Sequence, residues 1–251
     1  MIRRAYYIGA YYASWAVFGG VGVLLNLASL PLLLLPRTPA GAARQRRVIR
    51  WLFDFWLGWM HATGVVAVRW HGFERPPVPG TVYIANHPTL VDATFLLARL
   101  PDAICIFKPA LLRNPAVGPA AILAGYVGGV PGVDLVREVA GRIAEGQSLL
   151  VFPEGTRTEP GAKLNPLKPG FALIASRARA PVQLVRIASS PGMAAKGRAW
   201  WKPPAVLPGW FDFTLDRRWE HDPARSPAKL TAEVEAHLRR ELVPAGDRTS
   251  A

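Results

Sequence analysis

Between residues 65 and 188, short apolar segments alternate with longer stretches of helical spacing, and no other feature of this chain narrows its fold so far. The segments 65–70, 81–85, 103–107, 149–152 and 182–188 have the length of strands, whereas 89–100, 114–124, 134–145 and 171–179 read as helices. Strands separated by helices pair in parallel, because each crossover carries the chain back to the edge where it started. The expected fold class is therefore α/β: a layered domain with a largely parallel mixed sheet flanked by helices. Ligands of such open sheets sit beyond the carboxyl ends of the strands. His87 follows the 81–85 segment and residues 154–157 follow the 149–152 segment, so parallel strands would bring both to one rim.

Past this region Phe211, Phe213 and Leu215 alternate as in a strand. Ser226-Pro227 then opens a helix whose Leu230, Val234, Leu238 and Leu242 form one apolar stripe for packing against the domain. Trp200, Trp201 and Lys202, with Trp210 close behind, join rings to a cation in the manner of interface-seeking surfaces, and equally suit the core of a β-hairpin. Residues 244–251 are expected to be a disordered tail.

Ahead of the alternation, residues 5–36 carry no charge and no histidine, while a bilayer core needs only about 20 apolar residues in a helix. Such a run enters or spans a membrane, and it is too long for the apolar region of about 7–15 residues in a cleaved signal peptide. Gly19-Gly20, Asn26 and Pro31 interrupt it, which leaves a straight span and a bent or re-entrant segment as alternatives. Arg37, Arg44, Arg46, Arg47 and Arg50 follow the run against Arg3 and Arg4 before it, and this bias places the downstream domain in the cytoplasm. The lone Cys105 excludes an internal disulfide and agrees with that side. Residues 51–68 are rich in Trp, Leu and Phe but include Asp54 and His61, costly at mid-bilayer, so an interfacial or membrane-packed helix is expected there. The resulting organisation is a membrane-associated helical pair in 1–62, one domain in 63–243 and the tail. A net charge of +13 attracts polyanions; without zinc-ligand spacing or an aromatic RNA-binding signature, the expected partner is an anionic membrane and not nucleic acid.

The chemistry is concentrated in two motifs. In Asn86-His87-Pro88-Thr89-Leu90-Val91-Asp92, His87 lies at a strand-to-helix junction, with Pro88 at the first helical position and Asp92 about one turn further on. A carboxylate there can accept the Nδ1 proton and hold Nε2 free as a base. The same spacing, taken alone, suits a helix-capping histidine beside a solvated aspartate. In Phe152-Pro153-Glu154-Gly155-Thr156-Arg157, Gly155 would let backbone amides approach an anion, and Arg157 could grip a phosphate bidentately or pair with Glu154. There is no G-x-S-x-G and no G-x-x-x-x-G-K-[ST], so neither a serine hydrolase nor a P-loop enzyme is indicated, and the dispersed histidines support no metal site.

In this order and at this separation the two motifs resemble the glycerolipid acyltransferase family, whose best-known members acylate lysophosphatidic acid; the resemblance covers residues 65–187. It implies that His87 and Asp92 are catalytic and that Glu154, Gly155, Thr156 and Arg157 bind the acceptor. Lys168 and Gly170 are similar to the family's K-x-G, and the stretch from Ala180-Pro181 to Val185 to its last motif. The family's second block departs from pattern: after Gly128-Gly129 the nearest cation is Arg137, expected in the next helix. Lys108 resembles the lysine that many relatives place near the cleft and is the candidate substitute, although a solvated strand-end lysine would look the same. The implied reaction is direct transfer from acyl-CoA or acyl carrier protein to the hydroxyl of a lysophospholipid, first of all lysophosphatidic acid, with no tightly bound cofactor and no acyl-enzyme. The altered second block keeps another acceptor, such as lyso-ornithine lipid, in play. A non-catalytic lipid clamp would be marked by loss of the His or the Asp, and both are present.

Overall fold

Strands buried on both faces need continuous apolar sequence, and the two that frame the motifs have it: β2 (Val82–Ala85) is buried throughout and β5 (Ser148–Val151) nearly so. The structure, a computed structural model, describes residues 2–107, 109–115, 117–128 and 132–242. With β1 (Val66–His71), β3 (Ala103–Phe107), β4 (Val127–Gly128), β6 (Val182–Ser189) and β7 (Gly209–Trp219) they form a seven-stranded sheet of order β1-β7-β6-β2-β5-β3-β4. Only β6 and β7 pair antiparallel, so β1 and β7 run against the rest and the sheet is mixed but mostly parallel. Ile84 pairs with Val151, which puts the residues after β2 beside those after β5.

The flanking helices are α3 (Asp92–Arg99), α4 (Pro109–Leu112), α5 (Gly118–Leu123), α6 (Val133–Ala144), α7 (Gly170–Ala178) and α8 (Pro227–Glu241). Two are shorter than the sequence suggests. The helix expected over 89–100 begins only at Asp92, because Thr89 is held in a bridge to Ala195 and the Leu90 N–H donates to the Ala194 carbonyl. The helix expected over 114–124 begins at Gly118-Pro119, where proline fits the first turn because it has no N–H to leave unpaired. In α8 Ser226 caps by accepting the Lys229 N–H, and Leu230, Val234 and Leu238 are buried as their stripe requires. Trp200 and Trp201 lie in a turn, about half exposed, and so are not the core of a hairpin.

The N-terminal run folds as α1 (Ile2–Ser29), a 3-10 turn (Pro31–Leu34) and α2 (Pro39–Ala62), the last capped by Thr38 accepting the Gly41 N–H. Gly19-Gly20 do not interrupt α1; the break falls at Pro31, whose ring and missing N–H are incompatible with a helix interior. Ile2–Leu34 is long and apolar enough to cross a membrane by length and composition. Both halves of α1 nevertheless touch the sheet domain. Near its start the Tyr11 hydroxyl donates to the Trp200 carbonyl and the Trp15 ring lies 4.9 Å from Trp200; near its end Asn26 Oδ1 accepts the Ala120 N–H of α5 at 3.0 Å. Between them Trp56 of α2 donates Nε1–H to the Ser14 carbonyl at 2.7 Å and packs on Phe18 and Phe95. Ile49, Trp56, Leu57 and Met60 thus enter the same core as the sheet. Arg46, one of the arginines that set the sidedness reading, is 4% exposed and bonds Asp102 at 2.7 Å and the Ala124 carbonyl at 2.7 Å; it ties α2 to the domain. The helix expected over 51–68 is the second half of α2, and its last residues belong to β1.

Candidate active site

Where β2 ends, Asn86 substitutes for a strand residue. Its side-chain amide donates to the Ile187 carbonyl and accepts the Ile187 N–H, both at 2.8 Å, so the chain stays tied to β6 as it leaves the sheet. His87 follows and is fixed through its backbone: its N–H donates to Glu154 Oε1 at 2.8 Å and its carbonyl accepts the Thr158 N–H at 2.8 Å. The imidazole stacks on Phe152, with ring centres 4.0 Å apart and planes 18° apart. Two loops leaving adjacent parallel strands are thereby stitched into one floor.

Asp92 is the first residue of α3 and is fully buried. Its Oδ2 lies 2.9 Å from His87 Nδ1 and accepts the Thr89 N–H at 2.8 Å, while Oδ1 accepts the Thr89 hydroxyl at 2.5 Å. An acid reaching back to the N–H three residues earlier is half of a capping box. The expected position one turn into a helix is corrected accordingly: Asp92 starts the helix, and the loop before it curls over the carboxylate. Burial pushes the Asp92 carboxyl above its ordinary value, with His87 and Thr89 partly opposing the shift. A carboxylate that accepts from Thr89 on both oxygens also accepts the hydrogen bond of the His87 Nδ1–H, which keeps that proton on Nδ1 and leaves Nε2 with its lone pair. His87 is 18% exposed, and Nε2 has no protein partner among the described residues. No hydroxyl or thiol of the described protein bonds Nε2, so the nucleophile for such a base comes from a substrate.

The second motif divides. Glu154 faces inward, 2% exposed, and its oxygens are taken by the His87 and Asn165 N–H groups and the Thr158 hydroxyl. Among the described residues it forms no ion pair with Arg157, whose Nη1 turns instead to the Ala194 and Ala195 carbonyls. Its carboxylate instead braces the loop that carries His87. Gly155 is exposed with φ of +70°, a conformation that favours glycine, and a Cβ there would lie 2.8 Å from Lys168 Nζ and displace that side chain. Thr156 is exposed beside it. Arg157 is half-buried and donates through Nη1 to the Ala194 and Ala195 carbonyls at 3.1 and 3.2 Å. Arg137 lies in α6, exposed and paired with Asp134. Lys108 falls outside the described residues.

Sequence reasoning did not single out Thr89, Thr158 or Asn165. Thr89 had a readable signal, since Thr89-Leu90-Val91-Asp92 matches the [ST]-x-x-[DE] capping pattern. Thr158 and Asn165 had none: they reach Glu154 through a loop without periodicity.

A mostly parallel α/β sheet with a histidine-aspartate pair at the carboxyl ends of its central strands defines an enzyme-like α/β protein whose histidine, among the described residues, has no hydroxyl or thiol beside its Nε2. Residues 67–188, just under half of the chain, match the Acyltransferase family model, so this segment is similar to the acyltransferase family. Among curated proteins it is similar to the 1-acyl-sn-glycerol-3-phosphate acyltransferase of Cocos nucifera, 32% identical over 108 residues, which is 40% of this chain and 35% of that one. It is likewise similar to the protein of that name from Helicobacter pylori, 32% identical over 108 residues, 40% of this chain and 45% of that one. The chain thus spans less than half the length of these relatives. The crystal structure of the 1-acyl-sn-glycerophosphate (LPA) acyltransferase PlsC from Thermotoga maritima has the same fold, with a TM-score of 0.70 at 23% identity over 96% of this chain and 95% of that one.

Proposed function

We propose that this chain is a membrane-bound O-acyltransferase that moves a fatty acyl group from a thioester to the hydroxyl of a lysophospholipid, foremost 1-acyl-sn-glycerol 3-phosphate, giving phosphatidic acid. The observation that carries this reading is the His87–Asp92 pair, joined at 2.9 Å with Nε2 open, inside a segment that matches the acyltransferase family. In the proposed reaction Nε2 removes the acceptor's hydroxyl proton as its oxygen attacks the thioester carbonyl. Asp92 keeps the proton on Nδ1 and stabilises the imidazolium that forms. Collapse of the tetrahedral intermediate expels the thiolate, which takes the proton back from Nε2, so an ester and a thiol leave and the enzyme is unchanged. General-base assistance is worth about 10²- to 10⁴-fold. The donor is acyl-CoA or acyl carrier protein, and no resident cofactor enters any step. Thr156 and the uncommitted part of the Arg157 guanidinium are the proposed contacts for the acceptor's phosphate, with Gly155, whose own N–H donates to the Phe152 carbonyl, allowing close approach and Lys108 as a further candidate.

The proposed membrane placement is in the plane of one leaflet. A helix of 28 residues is about 42 Å long, enough to span, but this one is fastened to the same domain at Tyr11 and again at Asn26, so it crosses only if those contacts break. Its other face offers Val23, Leu24, Leu27 and Leu30 to lipid, continued by Leu34 and Leu35. On this reading residues 1–62 are the membrane helices, 63–243 the catalytic domain, and the domain faces the cytoplasm.

The test is thioester-dependent acylation by purified protein, wild type against His87→Ala, across lysophosphatidic acid, other lysophospholipids and lyso-ornithine lipid. Phosphatidic acid formation lost in the variant supports the proposal. Activity confined to lyso-ornithine lipid would move the acceptor to the phosphate-free class, a reading favoured by the pairing of Arg137 with Asp134 and by the Arg157 bonds to carbonyls.

A further inference from the structure

The first two turns of α1 and the segment 198–208 line an open groove of about 730 Å³, with Arg3, Arg4 and Arg198 among its lining residues. Tyr7, Ile8, Leu207 and Pro208 give it apolar and aromatic walls, and among the described residues no acidic side chain lines it. None of His87, Asp92, Phe152 or Arg157 lines it; its nearest link to the candidate active site is the bond from the Arg198 backbone N–H to the Ala195 carbonyl, which also accepts from Arg157. Its volume is that of a small-molecule site, which typically measures about 300–1,000 Å³.

The groove is built rather than incidental. Its two sides are fastened just below it, where the Tyr11 hydroxyl bonds the Trp200 carbonyl and Trp15 packs on Trp200. Arg198 donates to the Pro203 carbonyl at 2.6 Å, which sets the lip formed by 203–204. Three guanidiniums without a facing carboxylate are a recognition element for phosphate, which accepts their paired N–H groups. Beside them the apolar wall continues directly into the lipid-facing side of α1, where Tyr12 is exposed.

We propose that this groove binds the phosphate headgroup of an anionic glycerophospholipid of the surrounding leaflet, as a second lipid site distinct from the acceptor site. It goes beyond the acyl-transfer proposal and does not depend on the reaction. Only the supply of lipid rests on the interfacial placement of α1, and the test is made in detergent, where that placement is not in question.

Native mass spectrometry of the full chain in a neutral detergent, titrated with phosphatidylglycerol, counts bound lipids directly. One lipid should bind, and the double variant Arg3→Gln/Arg4→Gln and the single Arg198→Gln should each weaken it about tenfold. A charge-matched control, Arg177→Gln/Arg240→Gln on the exposed faces of α7 and α8, should leave that affinity unchanged. Equal weakening by the control would overturn the proposal in favour of diffuse attraction to a +13 protein. Equal binding of phosphatidylcholine would overturn it by removing charge selectivity. Displacement of the lipid by inorganic phosphate or coenzyme A at matched concentration would overturn the lipid assignment and leave a free-phosphate or donor site. A raised KM for the acceptor with lipid binding intact would reassign the groove to the reaction itself. Arg198→Lys, which keeps the charge, should retain more of the binding than Arg198→Gln.

Discussion

Asp92 is fully buried and holds three interactions, and its cost and its use come from the same burial. The raised carboxyl means that the folded chain holds this proton more tightly than the unfolded chain, whose reference value is 3.8. The associated stability is fully present below that value and is lost as pH rises through the folded value. Asn at this position has no proton to lose. Measured by thermal unfolding from about pH 4 to about pH 7, the melting temperature of Asp92→Asn relative to wild type should therefore climb with pH, whatever its offset. Activity should move the other way: Asn donates to Nδ1 and strands the proton on Nε2, so kcat should fall by about 10³ or more with the fold intact. A flat difference in melting temperature would show that Thr89 and His87 compensate the burial fully. Glu154 supplies the complementary case. The F-P-E-G-T-R spacing was legible as a motif, but the direction of the glutamate was not, because Thr158 and Asn165 meet it through loop geometry alone. Glu154→Ala leaves the His87 and Asn165 N–H groups without their acceptor and should cost about 3 kcal/mol of stability. Its kinetic loss should lie in kcat, through a loosened His87; an effect confined to the acceptor KM would return Glu154 to the substrate.

Among the elements, the central strands were the easiest to read and the N-terminal helices the hardest. β2, β5 and β3 are continuous apolar runs buried on both faces, and their bounds follow from composition within a residue. β4 has only Val127–Gly128, too short to leave a pattern, and the reversal of β1 and β7 depends on long-range pairing that no local spacing encodes. For α1, Asn26 looked like an interruption in an apolar run. In the structure it is a fastening: Nδ2 donates to the Gly22 carbonyl and Oδ1 takes the buried Ala120 N–H. Asn26→Leu keeps the hydropathy argument and removes the acceptor, so it should lower stability by about 1–3 kcal/mol, the cost of an unsatisfied buried donor. Thermal unfolding in detergent measures this, and limited proteolysis near Pro36 should quicken as the end of α1 is released. A stability equal to or above wild type would mean that apolar contact alone seats α1 on α5.

At the scale of the whole molecule the question is how a chain with one apolar helix long enough to cross a bilayer meets the membrane, and the geometry sets a sharp test. Tyr6 and Leu30 lie near opposite ends of α1 and are both exposed, at 55% and 47%. If α1 crossed the bilayer, probes at these positions would sit on opposite faces; if it lies in one leaflet, they share a side and a shallow depth. Cys105 makes the experiment clean. It is the only cysteine, it is buried, and burial pushes its thiol up to about 12, so almost no thiolate is available to label at neutral pH. Tyr6→Cys and Leu30→Cys, each labelled with an environment-sensitive dye in sealed vesicles, should respond to the same impermeant quencher from the same side, at similar quenching depth. Response of one position from inside and the other from outside would establish a span. The Asn26 and Trp200 contacts would then have to break in the membrane, and the core that joins Tyr11 and Trp56 to Phe95 would open with them. An in-plane helix keeps that core closed.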